Sequence, residues 1–400
     1  MDLRLGAHKN ASNNIPVPME HPGDNQIYDS YTTKTVGTNR REMVFVNPQS
    51  AISQTLLSSN NVVDYRWENN IDLIKTAYLR IKYNNSSGSN CVHATPAAFL
   101  SNIELYSDNG STLLFNSTNS VENWLVNNLL LSRNEHELTA SQRGTDATYT
   151  STEITVANGA SGYYYVWLLP LIYSALKIRP YSVEGNFLLR VRFASNNISS
   201  GTMTTEECVL VVSGIREDEI TRKYVLANSD IPKRLSYYGI QRHVDQRTLA
   251  ASSKYQIKLT GITGLVNSLF FILREAAYIT DTSDQFTFTR VDQFDILDSS
   301  NRSLTGYKIQ QIDDMILEYS HQVNNLFINN SNIHFWSFSE MPISDYITGS
   351  SNGCVPFNSQ NILEIYTPAA LTPGDYQIIV VCLTNELMTI DDGYVKTTRN

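Results

Sequence analysis

The chain has few cysteines for its 400 residues, only Cys91, Cys208, Cys354 and Cys382. No two of them are close enough in sequence for a zinc knuckle or a redox pair. A disulfide-stabilised scaffold would carry a denser set, so this class of protein is excluded. We therefore predict free thiols, most of them buried, in a protein made in a reducing compartment.

Long apolar runs are also missing. The longest run, residues 163–176, is too short to span a bilayer, is interrupted by Pro170 and is rich in tyrosine. Residues 1–14 are polar and lack the apolar segment of a secretory signal. The sequence predicts a soluble chain that would touch a membrane surface only through a short arm.

Positive charge is scarce as well. The 30 Lys and Arg residues are outnumbered by 39 Asp and Glu residues, which gives a formal net charge of −9 and a pI near 5.3. Proteins that bind nucleic acid through charge need a basic face, so direct sequence-specific nucleic acid binding is not expected. The aromatic share of 10% is too high for a disordered chain and can fill a large core.

Motifs for catalysis are absent or incomplete. The run 349–353 matches the Gly-x-Ser-x-Gly motif of a nucleophile elbow, but it lacks the strand before it and the helix after it. His136-Glu137 begins like a zinc-protease motif, yet Ala140 stands at the position of the second histidine. The sequence has no Gly-Lys dipeptide for a phosphate-binding loop, and its seven histidines are scattered.

Neighbouring carboxylates are the last candidates for acid–base chemistry. A glycosidase needs two carboxyl groups that face each other, usually from different strands, whereas neighbours on one strand point to opposite faces. We interpret the pairs as surface or turn charges, and the sequence predicts no catalytic, cofactor-binding or metal-binding residue. The pairs are Glu206/Glu207, those in Glu217-Asp218-Glu219, Asp313/Asp314 and Asp391/Asp392, the last in a turn.

From Met43 onward the sequence has the alternating pattern that is typical of β-strands. Apolar and basic residues alternate in the run 74–83, and the run 187–193 repeats this pattern. The Asp-Asn-Gly turn at 108–110 is typical of a β-hairpin, because Asn-Gly accepts positive φ at both central positions. Two amphipathic segments, 119–132 and 309–323, predict short helices.

Several features recur at a nearly constant interval. The strand around Leu79 matches the strand around Phe271, which lies 192 positions later. The turn 107–111 matches 299–303, and the helix residue Trp124 matches Ile316, at the same offset of 192. Repeated features in one register are typical of a duplicated unit.

A later match extends the repeat. It aligns residues 185–196 with residues 374–385, at an offset of 189. Strands that alternate, with single short helices inserted between them, predict an all-β fold with short helices, made of two jelly-roll β-sandwich domains side by side. The predicted divisions are an N-terminal arm at 1–40, a first jelly roll at 41–220 and a second at 221–400, with a charged connector near 214–234.

Aromatic residues cluster at 163–167 and at 335–338. We interpret both clusters as core or subunit interface, because large rings bury much apolar area. A sugar-binding face is the alternative interpretation.

Three stretches of the chain carry a resemblance to a known family. The first comprises residues 99–105, the Asn109-Gly110 turn and the helix around Trp124. The second is Trp167 to Leu171 followed by Phe187 to Phe193. The third runs from Asn385 to Met388 and continues to Asp392-Gly393. Together they resemble the double jelly-roll major capsid proteins of tailless icosahedral DNA viruses, the lineage of tectiviruses and adenovirus hexons. The likeness covers about residues 43–400. Arg302 departs from it, since it stands where the first copy has the turn glycine.

The resemblance implies a structural protein of the virion and not an enzyme. Three chains would form a homotrimeric, pseudo-hexagonal capsomer, and many capsomers would tile an icosahedral shell assembled in the host cell cytoplasm. Implied partners are neighbouring capsomers, minor capsid, vertex or penton proteins, and often an internal lipid membrane beneath the shell. No cofactor is implied. The arm would reach such a partner.

Two other functions stay open at this point. One is a two-domain β-sandwich protein that binds or hydrolyses glycans, which would usually be a monomer with a carboxylate-lined cleft. The other is a trimeric fibre or receptor-binding protein, in which an elongated shaft with repeats is expected in place of two equal domains.

Overall fold

A computed structural model gives the fold of the chain. The residues that it describes are 40–67, 71–107, 110–117, 121–122, 153–168, 179–183, 185–227, 233–282, 284–306, 308–310, 332–339 and 353–399.

The first half of the chain folds into strands that alternate in burial, as the sequence predicts. In the strand around Leu79, for example, Leu79 and Ile81 are fully buried while Arg80 and Lys82 point outward. The strands are β1 (Arg40–Val46), β2 (Val62–Trp67), β3 (Leu73–Asn84), β4 (Cys91–His93), β5 (Leu100–Ser107), β6 (Thr112–Ser117), β7 (Ile154–Val156), β8 (Ser161–Trp167), β9 (Phe187–Phe193), β10 (Ile198–Ser200) and β11 (Thr204–Arg216).

The second half is again built of strands, and helix α1 (Glu219–Ala227) precedes them. Its strands are β12 (Lys233–Leu249), β13 (Lys254–Lys258), β14 (Gly264–Glu275), β15 (Gln293–Leu297), β16 (Ile309–Gln310), β17 (Ile333–Ser337), β18 (Val355–Phe357), β19 (Ile362–Tyr366), β20 (Gly374–Asp391) and β21 (Tyr394–Arg399). Among the described residues, short 3-10 turns lie at Leu56–Ser58, Pro96–Ala98, Pro180–Ser182 and Ala276–Ile279. The described part of the chain is therefore all-β with short helices, as predicted.

The sheets show the duplication directly. The first half has two four-stranded antiparallel sheets, in the orders β1-β11-β3-β8 and β2-β9-β5-β6. The second half has the corresponding orders β12-β20-β14-β17 and β13-β19-β15-β16. Leu79 in β3 and Phe271 in β14 thus occupy equivalent strands, which confirms the match at offset 192. Each pair of sheets is a jelly-roll sandwich, and two such sandwiches make a double jelly roll.

The later match, at offset 189, is wrong. It aligns β9 with β20, but β9 lies between β2 and β5 whereas β20 lies between β12 and β14. The true counterpart of β9 is β19, and that of β20 is β11. A glycine stands at or just before the start of each strand, Gly374 in β20 and Gly185 before β9, and both strands are rich in apolar residues. Their sequences therefore look alike although their places in the sandwich differ.

The hairpin turns of the two halves reach positive φ through different residues, a glycine in the first half and an asparagine in the second. In the first half, β5 and β6 pair across the turn, and Gly110 has φ of 102°. In the second half, Asn301 has φ of 59°, and Leu297 pairs with Ser303 across the turn. The carboxylate of Asp298 accepts hydrogen bonds from the backbone N–H groups of the turn. The second turn therefore forms without the glycine, because asparagine also tolerates positive φ.

We expect Gly110→Ala to destabilise the protein by about 1–3 kcal/mol, because alanine is strained at this φ. A β-carbon at Gly110 would also lie 3.3 Å from Cδ2 of Leu188. The control is Gly374→Ala, where a β-carbon meets no heavy atom within 4 Å, and the expected change is below about 1 kcal/mol. Chemical denaturation of both variants measures the difference. Equal losses would show that the turn does not depend on this conformation.

Strand β14 is buried on both of its faces, which explains why its sequence does not alternate. Leu269, Phe271 and Leu273 belong to the core of the second half. Phe270 and Ile272, which point the other way, belong to a cluster that contains the core of the first half. The second jelly roll thus packs one sheet face against the first, and the residues of that face form one apolar cluster with the first-half core.

The predicted connector contains helix α1 and a buried charge network. The Asp218 carboxylate accepts a hydrogen bond from the backbone N–H of Thr221 at 2.8 Å, which caps the helix. The surface interpretation of Glu217 is wrong, since its side chain is fully buried and paired with Arg179 at 2.8 Å. Arg179 lies far away in sequence, so the strand-neighbour argument could not identify this partner.

Several predicted features lie outside the described residues. Of the helix predicted at 119–132, only Val121 and Glu122 are described, and both are helical. The helix predicted at 309–323 is wrong at its start, because Ile309 and Gln310 form strand β16, which pairs with β15. Its other residues, from 311 onward, lie outside the description. The other features outside it include the arm up to residue 39, Asp108-Asn109 of the first hairpin turn, Trp124, His136-Glu137, residues 169–171, Asp313/Asp314 and residues 349–352 of the nucleophile-elbow run. Across the described residues, no helix has the length and apolar character needed to cross a bilayer.

Candidate assembly surface

One sheet face of the first jelly roll exposes apolar and aromatic side chains to solvent. It is the face of β1-β11-β3-β8 that points away from the core, and we call it the outer face of the first sheet. Phe45 and Met43 are each 51% exposed and Tyr163 is 44% exposed. Its members are Met43, Phe45, Tyr78, Arg80, Tyr163, Tyr165, Trp167, Glu207, Val209 and Val211.

The guanidinium of Arg80 lies at the centre of this face. Its Cζ atom lies 5.0 Å from the ring centroid of Phe45 and 5.5 Å from that of Tyr163. Arg80 Nε also donates to Glu207 Oε1 at 3.0 Å. This hydrogen bond raises the pKa of Arg80, so the charge is retained. The two charges cancel, so a partner surface that covers them would not bury a net charge.

A second group of rings continues the face toward β8. The ring centroid of Tyr78 lies 5.6 Å from that of Tyr165 and 5.3 Å from that of Trp167. Burial raises the pKa of Tyr78. Val209 and Val211 are almost fully buried on this face although they do not belong to the core. The face is thus a packed apolar layer with exposed rings on top, which suits contact with another protein surface.

A β-bulge places both carboxylates of Glu206/Glu207 on this side of the sheet. The register between β11 and β3 shifts between Thr205 and Glu207. As a result Glu207 pairs with Arg80 and Glu206 pairs with Lys82 at 2.5 Å. The expectation that these neighbours point to opposite faces is wrong, because it assumed regular pleating. Both are paired surface charges, as predicted.

The two aromatic clusters divide between core and surface. Tyr164 is buried and stacks on Tyr83 with 4.4 Å between centroids, while its neighbours Tyr163 and Tyr165 lie on the outer face. Phe335 is buried in the cluster shared by the two halves. Burial of Tyr164 and Phe335 confirms the core interpretation for these rings. Trp336 and Phe338 pack against the core of the second half. The subunit-interface interpretation of the rings on the outer face stays a prediction.

Two carboxylates that sequence reasoning missed face each other across a strand pair. Asp295 and Glu364 are register partners on β15 and β19, and both are buried. Ser303 and Thr305 donate hydrogen bonds to Asp295, and Glu364 forms an ion pair with Lys254 at 2.7 Å. Nearby side chains thus already hold both carboxylates. In the part of the chain that is described, no cluster of three or more His, Cys, Asp or Glu side chains is arranged to hold a metal ion.

The other predicted groups agree with the structure where it describes them. Cys91, Cys208 and Cys382 are buried, unbridged thiols. Asp392 has φ of 50° in the tight turn between β20 and β21, as the sequence predicts for this position.

Comparison with known proteins identifies the fold. No family model and no curated protein sequence matches the chain. Among solved structures, the Faustovirus major capsid protein aligns with a TM-score of 0.66 and 10% identity over 97% of this chain and 97% of its own. VP54 of PBCV-1 aligns with a TM-score of 0.68 and 11% identity, over 91% and 97%. The STIV MCP aligns with a TM-score of 0.54 and 12% identity, over 87% and 96%.

These alignments span nearly whole chains on both sides, so they include both sandwiches and their mutual arrangement. The chain has the double jelly-roll fold of viral major capsid proteins, and the predicted resemblance is confirmed at the level of fold. The glycan-binding alternative receives no support from these structures.

Proposed function

We propose that this chain is the major capsid protein of an icosahedral virus and that its role is structural, not catalytic. The observation that carries the proposal is the alignment with the Faustovirus major capsid protein over 97% of both chains. An alignment of that extent includes both sandwiches of the chain. The chain would be located in the capsid of the virion, beside further copies of the same capsomer.

The duplication supports a homotrimeric, pseudo-hexagonal capsomer. Two sandwiches with the same strand order give each chain two similar edges, and three copies give six. In this proposal the jelly rolls extend over residues 41–220 and 221–400. The arm at 1–40 contacts a neighbouring subunit, a minor capsid, vertex or penton protein, or a lipid membrane beneath the shell. Assembly takes place in the host cell cytoplasm.

Native mass spectrometry and electron microscopy of the purified chain test the proposal. We expect a particle of three times 45.1 kDa, with a hexagonal outline in projection. A solution that is monomeric at micromolar concentration would contradict the trimeric capsomer. An elongated trimer with a shaft would favour a fibre protein.

A further inference from the structure

The first sheet of the second jelly roll continues beyond its sandwich. Strand β20 pairs with β14 only as far as Asn385, and from Glu386 to Asp391 it pairs with β21 instead. On its other side, this part of β20 pairs with the first residues of β12. Residues 233–237, 386–391 and 394–399 thus form a three-stranded antiparallel sheet, which we call the extension of the second sheet.

The duplication does not explain this extension. Leu210 on β11 corresponds to Val380 on β20, because they pair with the equivalent residues Leu79 and Phe271. At the same distance further along, Arg216 corresponds to Glu386. In the first half, β11 ends at Arg216 and helix α1 follows, whereas in the second half the strand continues to Asp391. The extension is therefore an addition to the repeated fold.

The extension has one covered face. Along β20, the side chains of Glu386, Met388 and Ile390 are buried, and the residues between them are half-buried. On β21, Val395 lies opposite Ile390 and is also buried, whereas its neighbour Tyr394 is 50% exposed. Because side chains alternate between the two faces of a strand, another part of the protein must cover the face that holds Val395.

The first jelly roll packs against this covered face. Val380 and Cys382, on the same side of β20 but within the sandwich, belong to the core of the second half. Beyond the sandwich, Met388, Ile390 and Val395 belong to the cluster that contains the first-half core. Strand β6 of the first half contacts both β12 and β21. The same side of β20 therefore changes its packing partner where the strand leaves its own sandwich.

Polar contacts hold the base of the extension. The hydroxyl of Tyr237 on β12 donates to Glu386 Oε2 on β20 at 2.8 Å. A β-carbon at Gly239 would collide with this carboxylate, so the glycine leaves the room that Glu386 needs. Further along β12, Arg242 Nη1 donates to the buried carboxylate of Glu122, in the first half, at 3.3 Å. An apolar contact and a charged hydrogen bond thus join the two halves at neighbouring positions.

We propose that the extension of the second sheet is a clasp that couples the two jelly rolls into one cooperative unit. The second sandwich has its own core without these strands, so its folding does not require them. Strand β6 is an edge strand of the first jelly roll, and the docked extension protects it from local opening. Release of the clasp then lets β6 open while the second sandwich stays folded. This inference does not rest on the proposed function.

The test is Val395→Asp, with Tyr394→Asp as the matched control on the same strand. Hydrogen exchange of the full chain, followed by mass spectrometry, reports local opening of β6 and of β19. We expect Val395→Asp to accelerate exchange in β6 at least roughly 10-fold, because a buried charge releases the clasp. Tyr394→Asp is expected to change it less than about twofold, because this side chain points to solvent. Exchange in β19, at the core of the second sandwich, is expected to stay at the wild-type rate in both variants.

A milder variant, Val395→Ala, replaces Val395→Asp if the latter does not fold, and a roughly threefold acceleration in β6 is then expected. Native mass spectrometry identifies a protein concentration at which all variants share one oligomeric state, and exchange is compared there. Faster exchange in β21 with unchanged exchange in β6 would overturn the inference, since the extension would open without affecting the first jelly roll. Equal acceleration in β6 and β19 would also overturn it, because the second sandwich would then depend on the extension. A monomeric wild type would contradict the proposed function and leave this test unaffected.

Discussion

Replacing Phe271 by alanine is expected to lower the free energy of unfolding by about 3–5 kcal/mol. The side chain is fully buried at the centre of the second sandwich. Its ring centroid lies 5.1 Å from that of Phe294 and 4.8 Å from that of His334, so the truncation leaves a cavity between two rings. The loss would be a large part of the stability of an ordinary domain.

Guanidinium denaturation of all variants at one fixed protein concentration measures this effect, because the stability of a self-associating protein depends on its concentration. Leu79→Ala, in the equivalent strand of the first half, is expected to cost about 2–5 kcal/mol. Leu226→Ala serves as the surface control and is expected to change stability by less than about 0.5 kcal/mol. A cost at Phe271 no greater than that at Leu226 would contradict the two-sandwich core described above.

The early part of each repeat could be predicted because its spacing is conserved between the two halves. Leu79 and Phe271 are both the middle residues of central strands, and the segments that lead from them to the hairpin turns have equal length. Between the predicted helices and the later strands, β9 in the first half and β19 in the second, the two halves differ in length. One constant offset therefore no longer aligns equivalent strands. The alignment of β9 with β20 failed for this reason. Alternation identifies a strand, but it does not say which neighbours the strand has.

Burial on two faces was the other feature that sequence patterns missed. Val209, Val211, Phe270 and Ile272 are apolar residues at positions where simple alternation would place polar ones. A run of this kind is consistent with any fully buried strand and does not reveal the covering partner. In β14 the partner is the first jelly roll of the same chain. In β11 the same pattern leads to the outer face of the first sheet, where the exposed rings lie.

Acid is expected to destabilise the protein through two buried histidines. His334 is completely buried, and its Nε2 accepts a hydrogen bond from the backbone N–H of Val291 at 3.3 Å. Burial, assisted by Arg290, lowers the pKa of His334 to about 3. His93 is buried between the carbonyl oxygen of Ala94 and the Tyr164 hydroxyl, and burial lowers its pKa to about 4.

The direction of the effect follows from these pKa values. An unfolded histidine takes up a proton near pH 6.5, whereas in the folded state both stay neutral to a much lower pH. The stability they contribute is therefore complete above about pH 6.5. It declines by about 1.4 kcal/mol per pH unit for each group as the pH falls toward the folded pKa.

The variant His334→Gln isolates one of the two groups. Glutamine keeps an acceptor near the N–H of Val291 but does not titrate, so the variant is expected to lose less stability on acidification than the wild type. Between pH 6 and pH 4.5, the slope of unfolding free energy against pH is expected to be shallower by about 1.4 kcal/mol per unit than in the wild type. His243→Gln is the control, because His243 is only half-buried and its pKa is lowered less. Carboxylates titrate alike in all three proteins and cancel in the comparison. If His334→Gln and the wild type show parallel slopes, protonation of His334 is not coupled to unfolding, and the burial described for this ring is wrong.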